Sequence, residues 1–296
     1  MKYGIHRNAI SLLILWPVLI LLSPSLSAAD DSYRYSIEGF YQNTENDSDV
    51  ETTLLLGGFR YYFQPVALGN GPYQEADFLD RQTNILGGFG TAEVDVFSVD
   101  VDGNIIMLEF EYADQRTPFT FGVNYTTMDA DETISGITLD VNLDMLSFEL
   151  GYYLTPQSRL SIRISQEEAD IDVGGLLLLE SDTDTYGIGY KNLTALGQNR
   201  FVNLELGFDM IENSIDEKNT EISLLADYYL NLSTGLRAGF AVNSGDDVFL
   251  EGTTLTVGVT AFLSKTAGIN FELKKFSADE DNNDEDTIIV SFEARF

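Results

Sequence analysis

The 296-residue chain has one histidine, His6, and no cysteine. Beyond position 6 it therefore offers neither imidazole nor thiol. A Ser-His-Asp or Cys-His nucleophile system, a zinc site with nitrogen or sulfur ligands, and haem held by His or Cys are all excluded there. Paired carboxylates remain as the means of acid/base chemistry, as in glycoside hydrolysis. With 48 Asp+Glu in the chain a close pair arises by chance, so none marks a catalytic centre. The densest acidic run, Asp279-Glu-Asp-Asn-Asn-Asp-Glu-Asp286, lacks the glycine that an EF-hand loop needs at its sixth position and reads as a solvated tip. No catalytic residue, metal ligand or cofactor is expected. Only 16 Lys+Arg oppose the acids, giving a formal charge of -32, which is unsuited to nucleic-acid backbones.

The charges that remain sit singly between apolar residues, so the elements carrying them decide their use. The chain opens with Lys2 and Arg7, an apolar stretch from Ile10 to Leu22, and the small residues Ser27-Ala28-Ala29. This has the form of a secretory signal cleaved after position 29, leaving one domain, 30–296. An uncleaved anchor fits less well, because the run is short for a span. From Tyr33 onward alternation of period two dominates, as in Leu255-Thr-Val257-Gly-Val259-Thr-Ala261 and Val202-Asn-Leu204-Glu-Leu206-Gly-Phe208. No later apolar run is long enough for a transmembrane helix.

The pattern predicts about fourteen strands (12–16): 33–43, 50–63, 83–97, 104–114, 118–128, 141–154, 159–168, 183–191, 200–211, 219–230, 233–243, 252–263, 268–277 and 286–296. Odd-to-even connections hold 27 acidic residues and one base, Lys218, whereas most even-to-odd connections are short and nearly free of acids. Such sorting by parity suits a transmembrane antiparallel up-and-down β-barrel with short periplasmic turns and longer external loops. A soluble sandwich has no reason for it. Aromatics sort by strand end as well. Tyr33, Tyr35, Tyr61, Phe63, Tyr112, Phe119, Tyr152, Tyr190, Phe201, Tyr228 and Phe296 fall at one end, and Tyr41, Phe97, Tyr125, Phe208, Phe240 and Phe276 toward the other, as two interfacial belts.

With the Phe296 face toward lipid, parity turns Glu38, Glu93, Asp95, Glu109, Glu111, Glu149, Glu205, Asp209, Glu221, Asp227, Glu272 and Glu293 into the lumen. It turns the bases Arg34, Arg60, Arg163, Lys191, Arg237, Lys274 and Arg295 the same way. Unpaired charge in a dry interior costs several kcal/mol per ion, so this lumen must be wet or salt-bridged. Fourteen strands lie between barrels filled by side chains and open porin channels, which implies a narrow pore. Excess acid in the wall and at the mouth predicts a moderate preference for cations.

Two stretches resemble known proteins. The last strand places Phe292, Ala294 and Phe296 on one face and resembles the C-terminal signal of outer-membrane barrels, whose terminal aromatic is read by the assembly machinery. The segment Tyr61-Tyr-Phe-Gln-Pro65-Val, followed by Gly71-Pro72, Glu75-Ala76 and Phe78-Leu-Asp-Arg81, is similar to the first periplasmic turn of the gammaproteobacterial putative-porin family. That resemblance implies a general pore in the outer membrane of a Gram-negative bacterium. The residues themselves give one long periplasmic connection, 64–82, read first as a surface flap and alternatively as a plug. The stretch around Gly174-Gly175 reads as strands extended past the membrane, or as a loop folded inward.

The expected function is thus a water-filled diffusion channel for small hydrophilic solutes or cations. Its partners would be lipid and the assembly machinery, with a homo-oligomer left open. The alternative is a non-conducting surface barrel with an adhesive or structural role. Single-channel recording separates the two.

Overall fold

The computed structural model describes residues 31–296 apart from 48–49, 70, 97–98, 135–136, 174–175, 215–216, 246–250 and 279–283. Phe97 and most of the 279–286 acidic run lie outside the described residues. Fourteen strands form one closed antiparallel barrel in which sequence neighbours pair and the last strand meets the first. They are β1 (Ser32–Asn46), β2 (Val50–Ala67), β3 (Asn84–Val96), β4 (Val99–Ala113), β5 (Phe119–Ile134), β6 (Ile137–Thr155) and β7 (Ser158–Val173), then β8 (Leu176–Gly197), β9 (Arg200–Asn213), β10 (Lys218–Asn231), β11 (Thr234–Gly245), β12 (Gly252–Ser264), β13 (Ala267–Ala278) and β14 (Glu285–Arg295). Closure runs from Ser36↔Arg295 to Asn46↔Glu285, so no sheet edge is left open. Among the described residues no helix is long and apolar enough to cross a membrane.

The alternation has the sense that hydrocarbon requires. Leu204, Leu206, Phe208 and Met210 on β9 are exposed on the outside, as are Leu160, Ile162 and Ile164 on β7, and Phe89 on β3 is 75% exposed. These residues form an outward-facing apolar band of the kind that outer-membrane barrels present to lipid. At the lower rim Tyr35, Phe59, Tyr61 and Phe63 pack ring to ring, with successive centroids 5.3–5.8 Å apart.

The connections at that rim are tight. In one of them the carboxylate of Asp114 accepts from the backbone N–H and the guanidinium of Arg116 at 2.8 and 2.5 Å. Hydrogen bonding from Arg116 lowers the Asp114 acid to about 2.

Strands on one side run further than their sequence suggests. β7 continues to Val173 and β8 begins at Leu176, paired up to Val173↔Leu176, so the 166–184 stretch is an extended hairpin and not an inward constriction. Its acids belong to strands because Glu168-Ala169-Asp170 keeps period two above the lipid.

A β-bulge breaks the alternation at the start of the barrel. The amides of Arg34 and Tyr35 both donate to the Phe296 carbonyl, at 2.6 and 3.0 Å. Tyr33 is consequently 2% exposed and Tyr35 40% exposed, on opposite faces. Parity counted back from Phe296 therefore does not carry to Arg34, which sits on the bulge at the rim and, among the described residues, takes part in none of the lumen ion pairs. Tyr33 also leaves the expected belt for the interior.

A cation placed mid-band tests this orientation. Leu206→Arg should destabilise the folded barrel by about 2–4 kcal/mol, measured by urea titration in lipid bilayers. Substitution at the inward neighbour Glu205 would not report the same lipid penalty.

Candidate functional site

Period two sends every second residue of each strand inward, where the charged ones form a belt of ion pairs. Arg60 on β2 lies between Glu38 of β1 and Glu109 of β4, at 2.8 and 2.6 Å. It also donates to Asn84 Oδ1 at 2.6 Å. Arg159 on β7 reaches Glu149 at 3.1 Å and Glu111 at 3.5 Å. Arg237 on β11 joins Asp227 at 2.7 Å to Glu272 at 3.0 Å, and Lys274 reaches Glu272 at 3.4 Å. Arg163 holds Asp209 at 2.8 Å, and Arg295 holds Glu293 at 2.6 Å.

Four of these bonds reach past an adjacent strand: Arg60–Glu109, Arg159–Glu111, Arg163–Asp209 and Arg237–Glu272. In the last two the residue crossed is a glycine. Arg163, Gly187 and Asp209 lie in one register row across β7, β8 and β9. A Cβ on Gly187 would come within 2.2 Å of Asp209 Oδ1. Arg237, Gly258 and Glu272 form the equivalent row across β11, β12 and β13.

The connection between β2 and β3 fills the periplasmic end of the bore. It holds a 3-10 turn, Tyr73–Glu75, and a short helix α1, Ala76–Asp80, ended by Arg81 in the left-handed region at φ 51°. Glu75 is 3% exposed; it accepts from Tyr229 Oη at 2.6 Å and pairs with Lys191 Nζ at 2.8 Å. Lys191 in turn binds Glu205 at 2.9 Å. The Tyr73 N–H donates to the Leu232 carbonyl, and its own carbonyl accepts from Arg295 Nη1 at 2.5 Å. The Phe78 carbonyl accepts from Tyr153 Oη at 2.8 Å, and Asp80 accepts from the Ala67 N–H and Gln115 Nε2.

These anchors lie on β2, β6, β8, β10 and β14 and on two turns, so the segment spans the bore. It is a plug and not a flap. A flap would leave Ala76 and Leu79 in water, whereas here Ala76 joins Tyr33, Tyr62, Val66 and Leu68, and Leu79 packs on Leu193 and Tyr229.

Cavities remain among the described residues of the interior. One of about 430 Å³ lies along β6–β12, beside Arg163, Asp209 and Glu221. One of about 530 Å³ lies beside Glu38, Arg60 and Glu109, and one of about 400 Å³ lies between α1 and β4–β8. They are adjoining lobes, since the first and third share Glu149, Arg159, Arg163 and Lys191 and the second and third share Asp77 and Glu109.

Of the expected lumen residues, Glu38, Glu109, Glu111, Glu149, Glu205, Asp209, Asp227, Glu272, Glu293, Arg60, Arg163, Arg237, Lys274 and Arg295 all enter this network. Glu221 lines the 430 Å³ lobe. Glu93 and Asp95 are corrected to the outer face, since they share parity with Phe89 and pair in register with outward-facing Thr53 and Glu51. Phe201 faces inward onto the Leu79 cluster and not into the rim belt. Sequence reasoning missed Arg159, which lies two residues from inward-facing Ser161 and so was reachable by parity. It also missed Asn84, Glu75 and Asp77, whose inward placement depends on the plug.

Glu75→Gln should loosen the plug by removing one charge from a buried pair, a loss on the order of 3 kcal/mol. Trypsin cleavage after Arg81 in the folded barrel, followed by mass spectrometry, should then accelerate strongly. An unchanged cleavage rate would show that the apolar contacts hold the plug alone.

Among curated proteins none matches this sequence. Solved structures share its architecture. Omp33 from Acinetobacter baumannii superposes with a TM-score of 0.58 at 16% identity, over 90% of this chain and 99% of that one. CdiB from Acinetobacter baumannii gives 0.55 at 8% identity, over 89% of this chain and 60% of that one. The Ralstonia pickettii toluene transporter TbuX gives 0.50 at 12% identity, over 95% and 94%. At these identities the likeness is one of fold. The family model described as "Putative general bacterial porin" matches residues 11–296, nearly the whole chain. The chain belongs to that porin family and is a β-barrel of the Gram-negative outer membrane.

Proposed function

We propose that the barrel is a narrow diffusion channel for small hydrophilic solutes, with a moderate preference for cations and with its periplasmic end restricted by the plug. The observation that carries this reading is the stoichiometry of the lumen pairs. Arg60, Arg159, Lys191 and Arg237 each sit between two carboxylates, so the wall keeps negative charge even when every base is paired. A dry core could not hold that surplus, so water and mobile cations must share the lobes. Transport then needs no catalytic group, because radius and wall charge select what passes.

In this reading residues 1–29 are removed on export. Phe292 and Phe296 on the lipid face of β14 serve as the terminal signal for barrel assembly. The acids above the lipid on β3–β8 concentrate cations at the mouth. The second reading, a sealed barrel, is favoured by the anchored plug, which crosses the bore on five strands.

Planar-bilayer recording of the refolded protein in a potassium chloride gradient distinguishes the two. The channel reading expects small ohmic steps whose reversal potential favours potassium, and severalfold larger steps when residues 71–80 are replaced by a short Gly-Ser linker. A reversal potential favouring chloride sinks the selectivity. Absence of steps in both proteins establishes the sealed barrel.

A further inference from the structure

The lobes differ in chemistry. Beside the ion pairs, the 430 Å³ lobe is lined largely by small residues such as Ser161, Gly189, Gly207, Ser223 and Thr256. The 530 Å³ lobe is instead bounded on one side by Phe40, Leu56, Leu86 and Met107, which face inward on four adjacent strands. The apolar wall continues toward the outer mouth: Ala92 and Ile105 are buried on the inner face, while Asp102 and Asp129 on the outer face are exposed.

Four carboxylates, Glu38, Glu109, Glu293 and Asp77, meet two guanidinium groups, Arg60 and Arg295, in the same lobe. Arg60 and Arg295 account for the three acids of the barrel wall. The carboxylate of Asp77, on α1, accepts from the N–H of Phe78, at 2.8 Å, and among the described residues it has no cation within 4 Å. Asp77 also borders the 400 Å³ lobe, so it stands at the junction of two lobes.

A wall built for wholly hydrophilic solutes gains nothing from four large apolar side chains, which raise the cost of keeping water beside them. A cavity of this size, apolar on one side with a few polar groups placed to orient a guest, has the form of a ligand site. Its surplus charge is negative. We infer that the 530 Å³ lobe binds organic monocations with an apolar body, of the arylalkylammonium class. The apolar part would lie on the Phe40–Met107 wall and the ammonium would face Asp77, with the aromatic face of Phe40 adding attraction for the cation. The site deepens the channel reading and rests on it, since the bound cation would be a preferred permeant.

Equilibrium dialysis of the refolded barrel in amphipol tests this without requiring conduction. The probes are phenethylammonium, ethanolammonium and phenylacetate. Phenethylammonium should be retained, and the two controls, lacking the apolar body or the positive charge, should bind at least about tenfold more weakly. Asp77→Asn keeps the acceptor for the Phe78 amide and should weaken phenethylammonium about fivefold. Met107→Thr, on the opposite wall, should weaken it comparably. Heat-modifiable migration on gels confirms that each variant is folded. Equal retention of all three probes, no retention of any, or indifference to both substitutions overturns the inference. If the barrel conducts but holds no phenethylammonium, this site fails and the channel reading stands. If it holds the probe but passes no current, the channel reading fails and leaves a binding cavity.

Discussion

Closure of the β1–β14 ladder is the constraint from which the rest of the molecule follows. In hydrocarbon an unmade backbone hydrogen bond costs several kcal/mol, and no water is present to replace it. A sheet can lie there only if every strand has two neighbours, which the pairing Ser36↔Arg295 to Asn46↔Glu285 provides. Once the sheet is a cylinder, its period of two becomes a distinction between oil and interior. Leucine, isoleucine, phenylalanine and valine take the outside, and polar groups have only the bore to occupy. The charged lumen is therefore a consequence of closure before it is an instrument of selection.

Inside, the geometry of a sheet limits which charges can meet. Directly opposed residues pair easily, as Lys191↔Glu205 and Asp227↔Arg237 do. Reaching beyond the adjacent strand requires a long side chain, and a vacant place beneath it shortens the path; Arg60 reaches Glu109 over Leu86 without one. Arg163 and Arg237 supply the length, and Gly187 and Gly258 leave the place open. These bridges bind strands i and i+2 together, which ladder hydrogen bonds cannot do. Arginine suits the role because its planar fork serves two acceptors at once, as Arg60 does between Glu38 and Glu109. The glycines thereby stiffen the wall, although glycine usually weakens a strand.

Much of this was legible from spacing. The strand number, the sorting of loops by charge and the inward direction of most lumen acids and bases all follow from period two, which is local. What failed was non-local. The bulge at Arg34 exists because the chain terminus at Phe296 offers one carbonyl to two amides, a contact between the two ends of the barrel. β3 begins after the plug, so parity had to be reset across a connection of unknown path. Its run Gly87-Gly88-Phe89-Gly90 gives little sign of which face is which, and Glu93 and Asp95 were assigned to the wrong side. Strand ends were cut short at Glu168 and Thr183 because acids were read as loops, although Glu168-Ala169-Asp170 alternates as regularly as the buried segments do.

The plug was the least legible element, and the reason is energetic. Its apolar residues Ala76 and Leu79 are few and its helix has five residues, far too short to hold itself together in water. What holds it is the barrel: a tyrosine hydroxyl from β6 and another from β10, Lys191 from β8 and Arg295 from β14. None of these partners is close in sequence. Its anchors are polar and distributed around the wall. Two features follow together from that arrangement. In the channel reading the lobes beside it hold the water that their excess carboxylate needs, and the plug itself brings a further carboxylate, Asp77, to the point where two lobes meet. A hydrophobic stopper would seal the periplasmic end and bring no charge to it, whereas in the channel reading a polar one would narrow that end and add to the charge that a passing ion encounters.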